Sequence, residues 1–170
     1  MREQAEYTLT LVNSWISNID SKTSHGLSVS GILSGFVLIR GVPKAFLLKQ
    51  EAETSSVLAF IGPLVVILLY LSLLAAICLF ANTLGARTHN TGDTSHLFFG
   101  DISHMQRDTY IDEFSKLSAT DYEKEIADQI FTNSQICALK VKLYNIGLIC
   151  LIAASILCFV GVGFQLIYLH

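Results

Sequence analysis

Hydrophobic and polar positions fall into long blocks along this chain rather than alternating. No charged residue occurs from Thr54 to Ala86, and Val57 to Ala81 is nearly unbroken apolar sequence. Leu143 to Leu169 is likewise apolar and uncharged. Both stretches exceed the ~20 residues a helix needs to cross the hydrocarbon core of a bilayer. Such runs cannot hide in the core of a small soluble domain, and within lipid a helix satisfies its backbone polar groups internally. The pattern therefore predicts transmembrane helices over 57–81 and 143–169.

A third crossing is expected over 23–41. Thr23 to Ile39 is uncharged but only modestly hydrophobic, with Ser28, Ser30 and Ser34 beside Gly26, Gly31 and Gly35. The pattern Gly31-x-x-x-Gly35, flanked by Ser30-x-x-x-Ser34, lines one helix face with small residues that let another backbone approach closely. The competing reading is a buried hairpin or interfacial segment held down by Trp15. Glu3, Glu6 and Asp20 precede this stretch, with neither a basic leader nor a cleavage site, so the segment is expected to be retained rather than removed as a signal peptide.

The polar blocks carry their own periodicity. Leu11, Val12, Trp15, Ile16 and Ile19 recur at three- and four-residue spacing, which predicts an amphipathic helix over 1–22. Gly41-Val42-Pro43 opens a connector over 42–56, expected as a periplasmic loop. Between the second and third spans lies a polar segment, 82–142. It opens with a loop-like tract from Gly85 to Ser95, continues through Leu97-Phe98-Phe99-Gly100-Asp101-Ile102, and has helical spacing over His104 to Leu117. Thr120-x-x-Glu123 reads as a capping box, and no proline or glycine follows until Gly147. One helix is thus expected to run from Asp121 into the last span, the alternative being a break near Asn133-Ser134.

Composition agrees with this organisation. Hydrophobic residues make up 52% of the chain and charged ones only 15%, against roughly 25% in a soluble domain. The expected fold class is an all-α integral membrane protein of three transmembrane helices, with a small helical segment on one side. Lys22, Arg87, Lys140 and Lys142 lie near one face of the bilayer, with Arg2, Arg107, Lys116 and Lys124 farther off, against Arg40, Lys44 and Lys49 on the other. That asymmetry places the N-terminus and the polar segment in the cytoplasm and the C-terminus outside.

Chemistry is sparse. Cys78, Cys150 and Cys158 fall in spans and Cys137 on the approach to one, without metal-ligand spacing, so they are expected to pack. The five histidines are scattered and form no metal motif. No phosphate loop, nucleophile elbow or kinase motif occurs. Neither a catalytic residue, a metal nor a cofactor is expected. The polar segment carries more Asp and Glu than Arg and Lys, which excludes a stripe for polymeric nucleic acid. A small anion is a different matter. Arg87, Arg107, Lys140 and Lys142 could meet a phosphate, and Phe98, Phe99, Tyr110 and Tyr122 could stack on a base. The plainer alternative makes these cations membrane anchors or partners of Asp101, Asp108 and Asp128.

Asp20-x-Lys22 before the first span, the Phe98-Phe99-Gly100 patch after the second, Tyr110 beyond it, and Asp128 through Ser134 to Lys140 before the last together resemble the transmembrane effector family of Pycsar antiphage defence systems. The resemblance covers nearly the whole chain. It implies a multi-pass protein of the bacterial inner membrane, partnered by the lipid bilayer and by a companion pyrimidine cyclase. That cyclase makes cyclic CMP or cyclic UMP on infection, and the effector senses the messenger and impairs the membrane to abort phage growth.

The expected ligand set is Arg87, Phe98, Phe99, Arg107, Tyr110 and Lys140, with Asp20, Lys22, Gly100 and Asp128 as further family positions. Asp20 and Lys22 are expected to pair with each other across a subunit boundary. Gly31 and Gly35 are expected to pack subunits in a homo-oligomer, because three helices alone cannot line an aqueous path. Two rivals stay open: an effector answering a cyclic oligonucleotide, and a scaffold subunit of a membrane complex with no ligand.

Overall fold

The computed structural model describes residues 2–39, 43–46, 56–85 and 95–167. In chain order its elements are α1 (Arg2–Leu38), a 3₁₀ turn (Lys44–Phe46), α2 (Ser56–Leu84), α3 (Phe99–Ile102), α4 (Arg107–Lys116) and α5 (Ala119–Gly163). No strand occurs among the described residues. The chain forms two compact units: a polar one of Met1–Ser21 with Gly85–Val141, and an apolar one of Lys22–Leu84 with Lys142–His170. Helices α1 and α5 each contribute residues to both.

The helix expected over 1–22 and the crossing expected over 23–41 are joined in one uninterrupted helix over Arg2–Leu38, which excludes a hairpin in that stretch. Its serines do not break it, because their hydroxyls fold back onto carbonyls one turn earlier. Ser28 donates to Ser24 O at 2.9 Å, Ser30 to Gly26 O at 2.8 Å and Ser34 to Ser30 O at 2.7 Å. Thr83 in α2 and Ser155 in α5 do the same. A hydroxyl paired this way can be surrounded by apolar groups without an unmet hydrogen bond.

In the apolar unit, three helices pack around two small cores. Phe80 of α2, wholly buried, lies with Ala76 and Leu151, bordered by Leu27, Leu33 and Tyr144. Farther along, Leu69 and Leu73 meet Val37, Ala154 and Cys158. Residue numbers rise together on α1 and α5 from the first core to the second and fall on α2. Helices α1 and α5 are therefore parallel, and α2 is antiparallel to both. The stretches Gly26–Val37, Leu69–Phe80 and Gly147–Cys158 run side by side for about 16 Å. The 3₁₀ turn closes the far end, where Ala45 N–H donates to Leu166 O at 3.0 Å and Ala45 packs with Val66 and Leu166.

Within this chain the closest approach lies elsewhere than at Gly31 and Gly35. A Cβ at Gly31 or Gly35 would meet nothing within 4 Å in this chain. At Gly26 and Gly147 it would lie 2.8 Å from the Phe80 ring. Two glycines on different helices thus make room for one aromatic side chain.

Helix α5 is continuous through Asn133-Ser134, as the absence of breakers suggests. Its start differs from the Thr120-x-x-Glu123 reading. Leu117 is extended at the end of α4, and Ser118 caps α5 instead. Ser118 Oγ accepts from Asp121 N–H at 3.1 Å and donates to the Asp121 carboxylate at 2.5 Å. Its end also differs, coming at Gly163 rather than Leu169. Gln165 takes a left-handed conformation (φ 54°). Leu166 N–H then bonds Gly161 O at 2.8 Å and Gln165 N–H bonds Val162 O at 3.0 Å, which satisfies carbonyls the helix leaves open. Helix α4 begins at Arg107, not His104, because Ser103 to Met105 form the turn that follows α3.

Candidate functional site in the polar unit

The polar unit is built on the parallel pair α1 and α5. Val12 and Ile126 are buried. Asn133 Nδ2 donates to Asn13 Oδ1 at 2.8 Å, and one heptad further on both helices Lys140 Nζ contacts Asp20 Oδ1 at 2.6 Å. The Lys140 side chain is 6% exposed and that of Asp20 36%. Lys140 is thus held by a carboxylate inside its own chain. Within the chain Asp20 pairs with Lys140, a partner other than the Lys22 expected across a subunit boundary.

A second set of polar groups gathers the segment 95–98 against α3, α4 and α5. Glu125 on α5 is its hub. One of its carboxylate oxygens accepts from His96 N–H at 2.9 Å and Ser95 Oγ at 3.3 Å, while the other lies 2.7 Å from His96 Nδ1. Across the ring, His96 Nε2 lies 3.2 Å from Glu113 on α4. Tyr110 OH donates to His96 O at 3.3 Å, Ser95 N–H to Asp101 at 2.9 Å, and Gln129 Nε2 to Ser95 Oγ at 3.4 Å. Hydrogen bonding to Glu125 raises the His96 pKa above 6.5, against an opposing desolvation, with Glu113 adding in the same direction.

The expected ligand residues separate in this framework. Phe98 is 7% exposed, its ring laid over Gly100 so that a Cβ there would come within 2.5 Å. It is a packing residue here, not an open stacking surface, and Gly100 is the residue that admits it. Arg107 is 84% exposed and lies 3.6 Å from Asp108. Tyr110 is half-buried and stacks on Phe114 with ring centroids 5.6 Å apart. Arg107, Tyr110 and Phe114 fall at i, i+3 and i+7, on one face of α4. Asp128 is exposed on α5. Arg87 and the Phe99 side chain lie outside the described residues. Among the described residues no group of three or more His, Cys, Asp or Glu side chains is placed to hold a metal ion.

His96, Glu113, Glu125, Ser95 and Gln129 were not singled out by sequence. The partners of His96 lie 17 and 29 residues away, beyond any local motif.

Two helices, over Phe60–Leu84 and within Ala119–Gly163, are long and apolar enough to cross a membrane, and only 28% of either apolar stretch is buried. Phe60, Leu71, Leu74, Ile149, Ile156 and Phe159 are exposed on them. A soluble protein would bury such faces, and the described chain is thus all-helical with two helices suited to a membrane.

The family follows from comparison. The family model described as PycTM, Pycsar effector protein domain, matches residues 4–167, and the chain belongs to that family. It is similar to the Pycsar effector protein GmPycTM of Gulbenkiania mobilis, 28% identical over 173 residues that cover 92% of this chain and 88% of that protein. No solved structure matches. The chain is accordingly an antiphage defence effector of the Pycsar type, whose signal is a cyclic nucleotide from a companion cyclase.

Proposed function

We propose that this protein senses a cyclic pyrimidine mononucleotide, cyclic CMP or cyclic UMP, through its polar unit and impairs the bacterial inner membrane through its apolar unit. In this reading it acts without catalysis and without a cofactor. The observation that carries it, beyond family membership, is that α1 and α5 each supply residues to both units without interruption. A ligand that favours one arrangement of these helices in the polar unit acts on helices the apolar unit also uses. Its effect is limited to its differential affinity for the two arrangements.

Helix α1 is the first of three crossings in this proposal. Support comes from its packing in the apolar unit, parallel to α5 and antiparallel to α2, over an uncharged stretch with Val29, Ile32 and Phe36 exposed. The polar unit is cytoplasmic by the distribution of basic residues. Subunits associate through the face bearing Gly31 and Gly35. The messenger's phosphate is met by Arg107, with Arg87, and its base by the aromatic face of α4 at Tyr110. Lys140 supports the site by holding α1 to α5 through Asp20.

Calorimetric titration of the detergent-purified protein with cyclic CMP and cyclic UMP tests this, with cyclic AMP and a cyclic dinucleotide as controls. Saturable binding of a pyrimidine messenger alone is expected, weakened at least tenfold by Arg107→Ala, about 1.4 kcal/mol for a lost charge-assisted contact. Binding of the dinucleotide instead would assign a different messenger. No binding to folded protein would favour the scaffold.

A further inference from the structure

We infer that His96 is a proton-operated clasp that fastens α4 to α5 within the polar unit, closed when its imidazole bears two protons and open when it bears one. The geometry carries the inference, and it does not depend on the messenger reading. Both ring nitrogens face carboxylates on different helices: Nδ1 is 2.7 Å from Glu125 on α5, and Nε2 is 3.2 Å from Glu113 on α4. An ionised carboxylate only accepts hydrogen bonds, and only the imidazolium donates from both nitrogens. With one proton gone, one nitrogen presents a lone pair to a carboxylate, and one of the two links becomes a repulsion.

The surroundings determine which link fails. Glu125 also accepts from His96 N–H and Ser95 Oγ, and its side chain is 17% exposed, so its oxygens are fixed. Glu113 is half-exposed and meets the ring at longer range. The proton that leaves first is the one facing Glu113, and α4 is the helix released. The other polar groups around the ring are Tyr110 on α4, Gln129 on α5, and Asp101 on α3, which holds Ser95 N–H.

The direction follows from linkage. A histidine whose folded pKa is raised contributes stability that is full below its unfolded value of 6.5, and that stability is lost as pH rises through the raised value. The clasp therefore closes under acidification and opens toward alkaline pH. Helix α4 carries Arg107, Tyr110 and Phe114, so its release would move the face that presents them.

Amide hydrogen exchange of α4 in the full-length protein in detergent micelles tests this between pH 6 and 9, after correction for intrinsic exchange. Protection over Arg107–Lys116 is expected to fall with rising pH, by up to about tenfold per unit for one bridging proton. Glu113→Gln and His96→Gln are each expected to abolish that slope. Glu113 is half-exposed, so Glu113→Gln decides the matter if His96→Gln fails to fold. A flat profile in the natural protein, or an unchanged slope in Glu113→Gln, would overturn the clasp.

Discussion

Replacing Asp20 by alanine is expected to destabilise the polar unit by about 3 kcal/mol, more than replacing Lys140 by methionine. The difference comes from how deeply each charge is buried. Asp20→Ala removes the carboxylate that Lys140 Nζ contacts at 2.6 Å and leaves an ammonium on a side chain only 6% exposed. Lys140→Met leaves Asp20, whose side chain is 36% exposed and can recover water. The double variant Asp20→Ala/Lys140→Met is expected to be more stable than Asp20→Ala alone, because an apolar side chain in the Lys140 position has no desolvation cost to recover. Equilibrium unfolding in mixed micelles, arranged as a double-mutant cycle, measures this directly. Near-additivity of the two single changes would mean that the pair contributes nothing. A stable Asp20→Ala protein that no longer answers messenger would instead make the pair a part of signalling rather than of folding.

Alanine at Gly147 is expected to disrupt the apolar unit, and leucine at position 80 to restore it. A Cβ at Gly147 would lie 2.8 Å from the Cε1 edge of the wholly buried Phe80 ring, and one at Gly26 would lie 2.8 Å from its Cζ tip. Both glycines crowd the Cζ–Cε1 end of the ring, so an added methyl meets a side chain already tightly confined. A smaller side chain in Phe80→Leu leaves room for the added methyl. Phe80→Ala alone is expected to cost about 2–3 kcal/mol, below the 3–5 typical of aqueous cores. The cavity and the lost dispersion contacts remain, while lipid is as apolar as the core and the transfer contribution largely disappears. Thermal unfolding in micelles, with chromatographic dispersity as a check on folding, reads both. If Gly147→Ala melts with the natural protein, the close packing around Phe80 is not what holds α1, α2 and α5 together.

The parts of this molecule visible in its sequence are those governed by one segment alone. The apolar runs before Leu84 and before Gly163 declare two helices long and apolar enough to cross a membrane. The lack of glycine and proline from Asp121 to Ile146 declares an unbroken helix. Features set by two segments meeting were not visible. Asp20 finds Lys140 only because α1 and α5 run parallel in one register, 120 residues apart in the chain. Gly31 and Gly35 announce a helix face ready for close approach, but not its occupant. The tight contacts lie at Gly26 and Gly147 and depend on where α2 brings Phe80.

Two errors have local causes. Overlapping capping patterns begin at Ser118 and Thr120, and the first wins because Leu117 is already extended. An apolar patch inside a polar segment can be a ligand platform or a core anchor. Burial of Phe98 over Gly100 selects the anchor. The His96 network had no pattern to find, since its residues come from three elements and the intervening segment.

The proposed activity is breach of the surrounding membrane in response to a cyclic pyrimidine nucleotide. It is tested most directly by efflux of a trapped dye from proteoliposomes containing the full chain, with nucleotide added to the outside of vesicles whose protein orientation has been determined. Cyclic CMP or cyclic UMP is expected to release dye from the fraction with the polar unit outward, while cyclic AMP and a cyclic dinucleotide release none. Vesicles that stay sealed under saturating pyrimidine messenger, with the protein folded and correctly oriented, would contradict it.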